Sequence, residues 1–427
     1  MGPLAGVTVV PQPLGCGHRL GYASPPVKLF TARSLLVAPG KYHSGGGILC
    51  DGSIERVACS PGEVRSLARE PGVEVEDLGS GVLAPGLVNA HAHLELTGVD
   101  TGPDRSFRGW LAGLMAARRA STHEERVAAT RCGADELLRG GTVAVGDIDS
   151  TGAAQEALRS HGLRVLLYRE VLDACEPERT ARALESVLER LAPSPRMREG
   201  ISPHAPYTVS AALFMGLRQL AHAQGLPVTI HWAETPEEVE WTMHGTGALT
   251  GLIARAPFRS GLDLIDDAGL LTQQTSLVHA NHTGPGELER IARAGSTCVH
   301  CPGSHAFFGR APFVIEDFLG AGIPIALGTD SGASNDRLDM RREMRLLREA
   351  HPGLEPQLVW TMATVNGARA LGAARAPGTL QPGADADFCL YEFEPDGVDD
   401  CQEVLTGGAP AVGGTWIGGQ HVPHPVG

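Results

Sequence analysis

VLAPGLVNAHAH (residues 82–93) is an apolar run that ends in two histidines separated by one residue. Side chains at positions i and i+2 of a β-strand point to the same face of the sheet. His91 and His93 can therefore direct two imidazoles at one metal ion from the end of a strand. This segment predicts both the first strand of the fold and the start of a metal site.

Short apolar segments alternate with helical patterns throughout the chain after residue 84. The predicted strands are 87–92, 142–148, 163–170, 200–204, 227–231, 276–280, 296–300 and 324–328. Helical periodicity is found around 125–139, 183–191, 213–221, 286–294, 313–321 and 337–350. Apolar strands separated by helices are typical of a parallel sheet covered by helices. The strand count predicts an α/β fold with a (β/α)8 TIM-like barrel.

Residues that can bind a metal or transfer a proton follow the carboxyl ends of these strands. They are His91 and His93 after the first strand, His204 after the fourth, His231 after the fifth, His279 after the sixth, His300 after the seventh and Asp330 after the eighth. Barrel enzymes carry their catalytic residues at this end. A doubly wound sheet is the alternative, but it would not bring strands one, five and eight to one point.

The two flanks of the barrel differ from it in composition. Residues 27–84 and 380–427 are rich in valine, glycine and turn residues, and they predict one small β-sandwich domain to which both ends of the chain contribute. The barrel is then expected to span 85–379. Residues 1–26 are interrupted by prolines and lack a basic region, so we expect a disordered extension rather than a signal peptide.

Bulk composition limits the classes of partner. The net charge is −14 and no basic run is present, which argues against nucleic acids and anionic membranes and leaves a small-molecule substrate. No apolar stretch reaches the ~18 residues of a membrane-spanning helix. The nine cysteines are scattered, which indicates a reducing compartment and hence the cytoplasm. The oligomeric state stays open, a homodimer being a common arrangement for soluble enzymes.

The histidines and one aspartate form a plausible set of metal ligands. His91, His93, His231 and Asp330 supply three nitrogens and one oxygen, a set that suits one divalent ion, with zinc expected and iron as the alternative. Such an ion lowers the pKa of a bound water toward ~7 and so supplies hydroxide at neutral pH.

Three side chains are candidates for catalytic roles. Glu234 lies three residues beyond His231, close enough to act as general acid and base. His279 is a candidate to orient the attacking water, and Asp330 to accept a proton as well as bind the metal. Simpler readings stay open at this point: Glu234 could be an acid at a helix N-terminus, and His300 could belong to the pocket wall or to the core.

Several motifs together carry a resemblance to a known family. They are PGLVNAHAH (85–93), PHAPYT (203–208), HWAE (231–234), HCPGS (300–304) and GTDSGASN (328–335). In combination they resemble the amidohydrolase superfamily, in its mononuclear aminohydrolase/chlorohydrolase branch. The resemblance implies metal ligation by His91, His93, His231 and Asp330. It also implies proton transfer by Glu234, water orientation by His279 and a substrate contact by His204.

Within that branch, segments 107–111, 168–170 and 304–309 are similar to the aminodeoxyfutalosine deaminases of menaquinone biosynthesis. This similarity implies hydrolytic deamination of an adenine nucleoside such as aminodeoxyfutalosine. Glu95, Arg169, Glu170 and His204 become candidates for sugar or carboxylate contacts, with Arg169 suited to pair with a substrate carboxylate. The alternatives are a guanine or S-adenosylhomocysteine deaminase, a ring-amide hydrolase and a chlorohydrolase. A non-catalytic scaffold is disfavoured because no ligand of the site is missing.

Overall fold

The computed structural model describes residues 27–190, 197–372 and 378–424. The extension predicted for residues 1–26 lies outside these ranges. The strands are β1 (Val27–Ala38), β2 (Lys41–Cys50), β3 (Ile54–Ala58), β4 (Val73–Asp77), β5 (Val82–Pro85), β6 (Leu87–His93), β7 (Thr142–Asp149), β8 (Arg164–Val171), β9 (Met197–Pro203), β10 (Val228–Trp232), β11 (Thr275–His279), β12 (Thr297–His300), β13 (Ile325–Leu327), β14 (Asp330–Ser331), β15 (Phe388–Tyr391), β16 (Val412–Ile417) and β17 (Gln420–Val422).

From β6 onward, helices separate most of the strands along the chain. They are α1 (Pro61–Leu67), α2 (Phe107–Ala120), α3 (His123–Arg139), α4 (Ala153–Leu158), α5 (Thr180–Arg190), α6 (Ala211–Gln224), α7 (Pro236–His244), α8 (Gly261–Asp267), α9 (Glu287–Ala294), α10 (Pro302–Phe307), α11 (Ile315–Gly320), α12 (Met340–Ala350), α13 (Pro356–Ala363), α14 (Val365–Ala370) and α15 (Val398–Glu403). Among the described residues, no helix combines the length and the apolar character needed to span a bilayer.

Strands β6 to β14 form a parallel sheet that closes on itself. Neighbouring strands pair in chain order from β6 to β13. The short strands β13 and β14 are two parts of one interrupted strand, because β13 pairs with β12 and β14 pairs with β6. The ring therefore has eight strand positions, and each predicted strand segment overlaps one of them. This confirms the predicted TIM-like barrel.

The barrel strands are buried along almost their whole length, which explains why their sequences are apolar runs rather than alternating ones. Every residue of β6 and of β7 is buried. The largest apolar cluster joins these strands to the surrounding helices and includes Ile201, Ile230, Phe318 and Trp360. The closed, packed wall holds the carboxyl ends of the strands in fixed positions, and these ends carry the candidate site.

Strands from both ends of the chain build the second sheet. Its order is β17-β16-β15-β5-β1-β2-β3, with β4 also paired to β1. Strand β5 joins the two ends, because it pairs in parallel with β1 and antiparallel with β15. The predicted contribution of both termini is thus observed. The strands from both flanks are hydrogen-bonded in one continuous order and form the sheet domain that accompanies the barrel.

Local sequence signals fix several helix starts beside the site. Thr235 caps α7 through its hydroxyl, which accepts a hydrogen bond from the amide of Glu238, and Pro236 occupies the first turn. Ser210 caps α6 in the same way. The cap at Thr235 begins α7 immediately after Glu234, so the carboxylate of Glu234 stays at the mouth of the barrel.

Candidate active site

Three histidines meet at the carboxyl end of the barrel. His91 and His93 lie on β6 and His231 on β10, and the Nε2 atom of His231 is 3.2 Å from the Nε2 atoms of both His91 and His93. Burial, reinforced by neighbouring His231, lowers the pKa of His93 to about 4. Burial also holds the pKa of His91 well below its ordinary value. Both rings are therefore neutral at physiological pH and able to bind a cation.

The geometry of these nitrogens fits one divalent metal ion. Nitrogens ~2.0–2.1 Å from a tetrahedral zinc ion lie roughly 3.3 Å apart, close to the observed spacing. The Nδ1 atom of His231 faces the carbonyl oxygen of His204 at 3.0 Å. An Nδ1–H that donates to this oxygen leaves the lone pair of Nε2 free for a metal. The spacing of the three nitrogens and the contact between His231 and the carbonyl oxygen of His204 both match a metal centre.

Asp330 completes a four-residue arrangement. Its Oδ1 atom lies 3.8 Å from the Nε2 atoms of His91 and His93. Its Oδ2 atom accepts a hydrogen bond of 2.9 Å from the hydroxyl of Ser334. The backbone of Asp330 has a φ of 58°, an unusual value for a residue with a side chain. The surrounding contacts must hold this conformation, and it aims the carboxylate at the histidines.

Asn89 ties the first and last barrel strands together beneath these ligands. Its Oδ1 atom accepts hydrogen bonds from the amides of His91 and Thr329, each at 3.2 Å. Its Nδ2 atom donates to the hydroxyl of Thr329 at 2.8 Å. Asn89 is fully buried. Its partners are His91, a proposed metal ligand, and Thr329, which precedes the proposed ligand Asp330. This side chain therefore fixes the relative position of His91 and Asp330.

Glu234 and His279 stand beside the three histidines. The Oε2 atom of Glu234 is 3.8 Å from the Nε2 atom of His279. Its Oε1 atom accepts a hydrogen bond of 2.7 Å from the Nη2 atom of Arg310. Burial opposes ionisation of Glu234, but the charges of His279 and Arg310 prevail and lower its pKa to about 2. The carboxylate is thus ionised and ready to accept a proton.

The backbone around Glu234 is fastened by two further side chains. Glu238 accepts hydrogen bonds from the amides of Ala233 at 3.0 Å and of Glu234 at 2.8 Å. Asn281 donates from Nδ2 to the carbonyl oxygen of Glu234 at 3.0 Å. Burial raises the pKa of Glu238 to about 8, although its backbone contacts act in the opposite direction. Ala233 has a φ of 49°, so these contacts also maintain an uncommon turn.

A second group of polar residues lies beside the three histidines and shares His231 with them. Side-chain atoms of Glu170, His204 and His231 lie within 4.8 Å of one another. Burial acts against the charge of Glu170, yet His204, His93 and Arg118 outweigh it and lower the pKa of Glu170 to about 2. Glu170 is therefore an ionised acceptor next to the metal-site histidines, where a substrate hydroxyl or ring nitrogen can reach it.

Glu95 is also buried near this group. It accepts hydrogen bonds from the hydroxyl of Thr151 at 2.6 Å and from Arg118 at 3.3 Å. Burial raises its pKa despite these contacts. The structure places Glu95 and His204 near Glu170, and the contact of these three residues with a substrate stays a prediction.

Arg169 does not join them. Its side chain has no solvent exposure and forms ion pairs with Asp149 and Glu199, the latter at 2.9 Å. Adjacent residues of a strand face opposite sides, so Glu170 and Arg169 cannot both face the histidines. The predicted contact between Arg169 and a substrate carboxylate is not supported, because its donors are already engaged by two buried carboxylates.

One neighbour of the site, Arg310, was not singled out from the sequence. Arg310 contacts Glu234 from the segment between α10 and α11, where no periodic pattern marks a functional residue. His300 stacks on Phe313 with ring centroids 4.3 Å apart and is 3% exposed, so it belongs to the packed wall. Phe308 packs edge-on against Trp110 at 5.3 Å and covers Arg310. Phe313 and Phe308 thus pack against side chains of the protein itself, namely His300, Trp110 and Arg310.

Comparisons with known proteins agree with this geometry. The model of the amidohydrolase family matches residues 82–422. Over 368 residues the chain is 34% identical to the aminodeoxyfutalosine deaminase of Deinococcus radiodurans, covering 81% of this chain and 86% of the relative. Over 335 residues it is 32% identical to the 5-methylthioadenosine/S-adenosylhomocysteine deaminase of Thermococcus onnurineus, covering 75% and 76%.

A solved structure shares the whole architecture. The adenosine deaminase of Xanthomonas campestris with bound zinc superposes with a TM-score of 0.77 at 25% identity, covering 93% of each chain. The family model spans both the barrel and most of the strands from the C-terminal flank. The chain therefore belongs to the amidohydrolase family.

Proposed function

We propose that the protein catalyses the hydrolytic deamination of an adenine nucleoside, with aminodeoxyfutalosine as the specific substrate and menaquinone biosynthesis as its setting. One observation carries the proposal: an ionised Glu234 lies beside three buried histidines whose nitrogens have metal-site spacing. The two relatives described above are deaminases of adenine nucleosides, which supports this class over ring-amide or carbon–chlorine hydrolysis.

His91, His93, His231 and Asp330 would hold one divalent ion, and zinc is proposed because the Xanthomonas relative binds it. When bound, such an ion lowers the pKa of water and so supplies a nucleophile at neutral pH. The remaining chemistry belongs to the side chains around it.

Glu234 is assigned the proton transfers. Its Oε1 atom is engaged by Arg310, so the Oε2 atom, which faces His279, is the one free to accept a proton from the attacking water. The same oxygen then delivers the proton to a ring nitrogen of the adenine. A carbon–oxygen bond forms at the ring carbon, and the remaining hydroxyl proton is assigned to pass by way of Asp330 to the amino group. The carbon–nitrogen bond then breaks, and ammonia leaves. His279 orients the water during the attack.

Substrate binding is assigned to Glu170, His204 and Glu95. The ionised carboxylate of Glu170 is suited to accept hydrogen bonds from the hydroxyls of a ribose. The Nδ1 atom of His204 is 2.7 Å from the hydroxyl of Thr208, which leaves Nε2 for the substrate. Glu95 is assigned to the same subsite. A cytoplasmic location is part of the proposal, supported by the free cysteines of the described ranges.

The test is a substrate panel on zinc-loaded protein. Aminodeoxyfutalosine, adenosine, S-adenosylhomocysteine and guanine are incubated separately, and deamination is followed by ultraviolet absorbance and by ammonia release. We expect the highest kcat/KM for aminodeoxyfutalosine. A higher kcat/KM for another adenine nucleoside would contradict the proposed substrate but would support the proposed reaction, hydrolytic deamination. No ammonia from any of the four, with metal bound, would contradict the proposal.

A further inference from the structure

Arg310 is the least explained charged residue at the site. Its side chain is about nine-tenths buried, with 10% exposure, and it lies in the segment that connects α10 to α11. Burial of a cation is costly unless the charge is paired. Among the described residues the carboxylate of Glu234 is the one that pairs with it, through the 2.7 Å contact between Nη2 and Oε1. The ion pair with Glu234 therefore offsets the cost of burying the guanidinium of Arg310.

The guanidinium is held in place by an aromatic ring on its other side. Its central carbon lies 4.4 Å from the ring centroid of Phe308. Phe308 in turn packs against Trp110 and Phe307, with centroid distances of 5.3 and 5.1 Å. The indole nitrogen of Trp110 donates to the carbonyl oxygen of Ala333 at 2.8 Å. Phe308 thus packs on one side of the Arg310 guanidinium, which donates on its other side to the carboxylate of Glu234.

The contact distinguishes the two oxygens of Glu234. Oε1 accepts from Arg310, whereas Oε2 is 3.8 Å from His279 and has no comparable fixed donor in the described parts of the chain. The backbone contacts from Glu238 and Asn281 fix the main chain but leave the side-chain torsions of Glu234 free. Arg310 is the group that removes this freedom.

We infer that Arg310 is a positioning residue that anchors Oε1 of Glu234, so that Oε2 alone stands at the reacting atoms. It acts through Glu234 and does not need to contact the substrate. A general acid and base works only when its oxygen is within hydrogen-bonding reach of the proton it transfers. Loss of the anchor should lower the rate of the chemical step and leave substrate binding nearly unchanged. This inference rests on the proposed deamination.

Substitution of the arginine tests it. Arg310→Met keeps the aliphatic stem on Phe308 but removes the donor, and we expect kcat to fall by about 10- to 100-fold, the range for one hydrogen bond to a charged group. KM should change by less than about threefold, since uniform binding is untouched. In Arg310→Ala, added methylguanidinium should restore part of the lost kcat.

Arg105→Met is the matched control. Arg105 covers Phe307 at the same 4.4 Å distance but is exposed and donates to the carbonyl oxygen of Phe307, away from Glu234. Its substitution should leave kcat and KM unchanged. A kcat of Arg310→Met equal to that of the control would overturn the inference, as would a failure of methylguanidinium to restore activity to Arg310→Ala.

A crystal structure of zinc-loaded Arg310→Met separates this inference from the proposed function. The Glu234 carboxylate should leave its position beside His279 or occupy more than one, while His91, His93 and His231 stay in place. An unmoved carboxylate would overturn the inference whatever the substrate. If wild-type protein deaminates no adenine nucleoside, the proposed function fails, and the crystal structure still decides the role of Arg310.

Discussion

Substitution of Gly328 by alanine probes how tightly the barrel surrounds the metal ligands. A Cβ atom at this position would lie 2.8 Å from the carbonyl oxygen, 2.9 Å from the Cβ atom and 3.0 Å from the amide nitrogen of His91. Optimal contacts between carbon atoms are ~3.5–4.0 Å, so the strands must separate by about 0.5–1 Å. The obstructing atoms belong to the backbone of a buried strand, which cannot rotate away.

The displacement of the strands is expected to lower both the stability of the protein and its affinity for zinc. Overpacking of this kind costs about 1–3 kcal/mol of stability. Metal sites tolerate displacements of only about 0.2 Å, so His91 would lose its alignment with His93 and His231. Thr329 would carry the disturbance to Asp330, because its amide donates to the carbonyl oxygen of His91 at 3.1 Å. We expect zinc affinity to fall by about 10- to 100-fold, as when a supporting contact of a metal ligand is lost.

The assay measures zinc affinity by competition with a chromophoric chelator, and thermal unfolding of the metal-free protein. Gly320→Ala is the matched control, since a Cβ atom at Gly320 meets no other atom within 4 Å. Its zinc affinity should equal that of the wild type, and its stability should not fall, since alanine favours a helix more than glycine does. Equal zinc affinity in Gly328→Ala and the control would refute the argument that the packing of β6 against the last barrel strand sets the geometry of the site.

Two further predictions concern protonation and the neighbouring residues 169 and 170. The metal-free protein should lose stability as the pH falls from about 7 to 5, because the unfolded chain takes up protons that folded His93 and His204, with pKa values of about 4, do not. Other histidines whose pKa is lowered by burial act in the same direction. Together they outnumber the buried glutamates and aspartates whose raised pKa opposes the effect. A stability that does not change with pH in urea unfolding would contradict this prediction. Glu170→Gln should raise KM by about 10-fold, because it weakens a hydrogen bond to a charged acceptor. Arg169→Met should lower the free energy of unfolding by about 3–5 kcal/mol, because it removes the buried cation that pairs with Asp149 and Glu199. Paired kinetic and unfolding measurements in which Arg169→Met raised KM and left stability unchanged would contradict these assignments.

The barrel and the residues that gather at its mouth were predictable because each depends on a short local signal. A buried parallel strand must be apolar along its whole length, and the residue at its end is then placed by the fold itself. His91, His231 and Asp330 are distant in sequence, yet closure of the ring brings them together. The helices after these strands were predicted where an apolar face repeats, as in α5, α6 and α12.

Other features depend on contacts that no local pattern reports. Helix α2 was not predicted, since Gly109 and Gly113 lower helix propensity. Close approach explains these glycines, because a Cβ atom at Gly113 would lie 2.0 Å from the carbonyl oxygen of Thr101. The role of Arg169 depends on Asp149 and Glu199, which lie on adjacent strands. Strand alternation alone could have indicated that Arg169 and Glu170 face different sides.

The most direct test of the account compares wild-type protein with Glu234→Gln for metal content and ammonia release on the same samples. Glutamine keeps the shape of the side chain and an oxygen that can accept from Arg310, but it cannot take up a proton. We predict one zinc ion per chain in both proteins and a fall in kcat of about 10³- to 10⁴-fold, at the upper end for general acid–base catalysis because two proton transfers are lost. Retention of activity within a few fold, at equal zinc content, would contradict the assignment of proton transfer to Glu234.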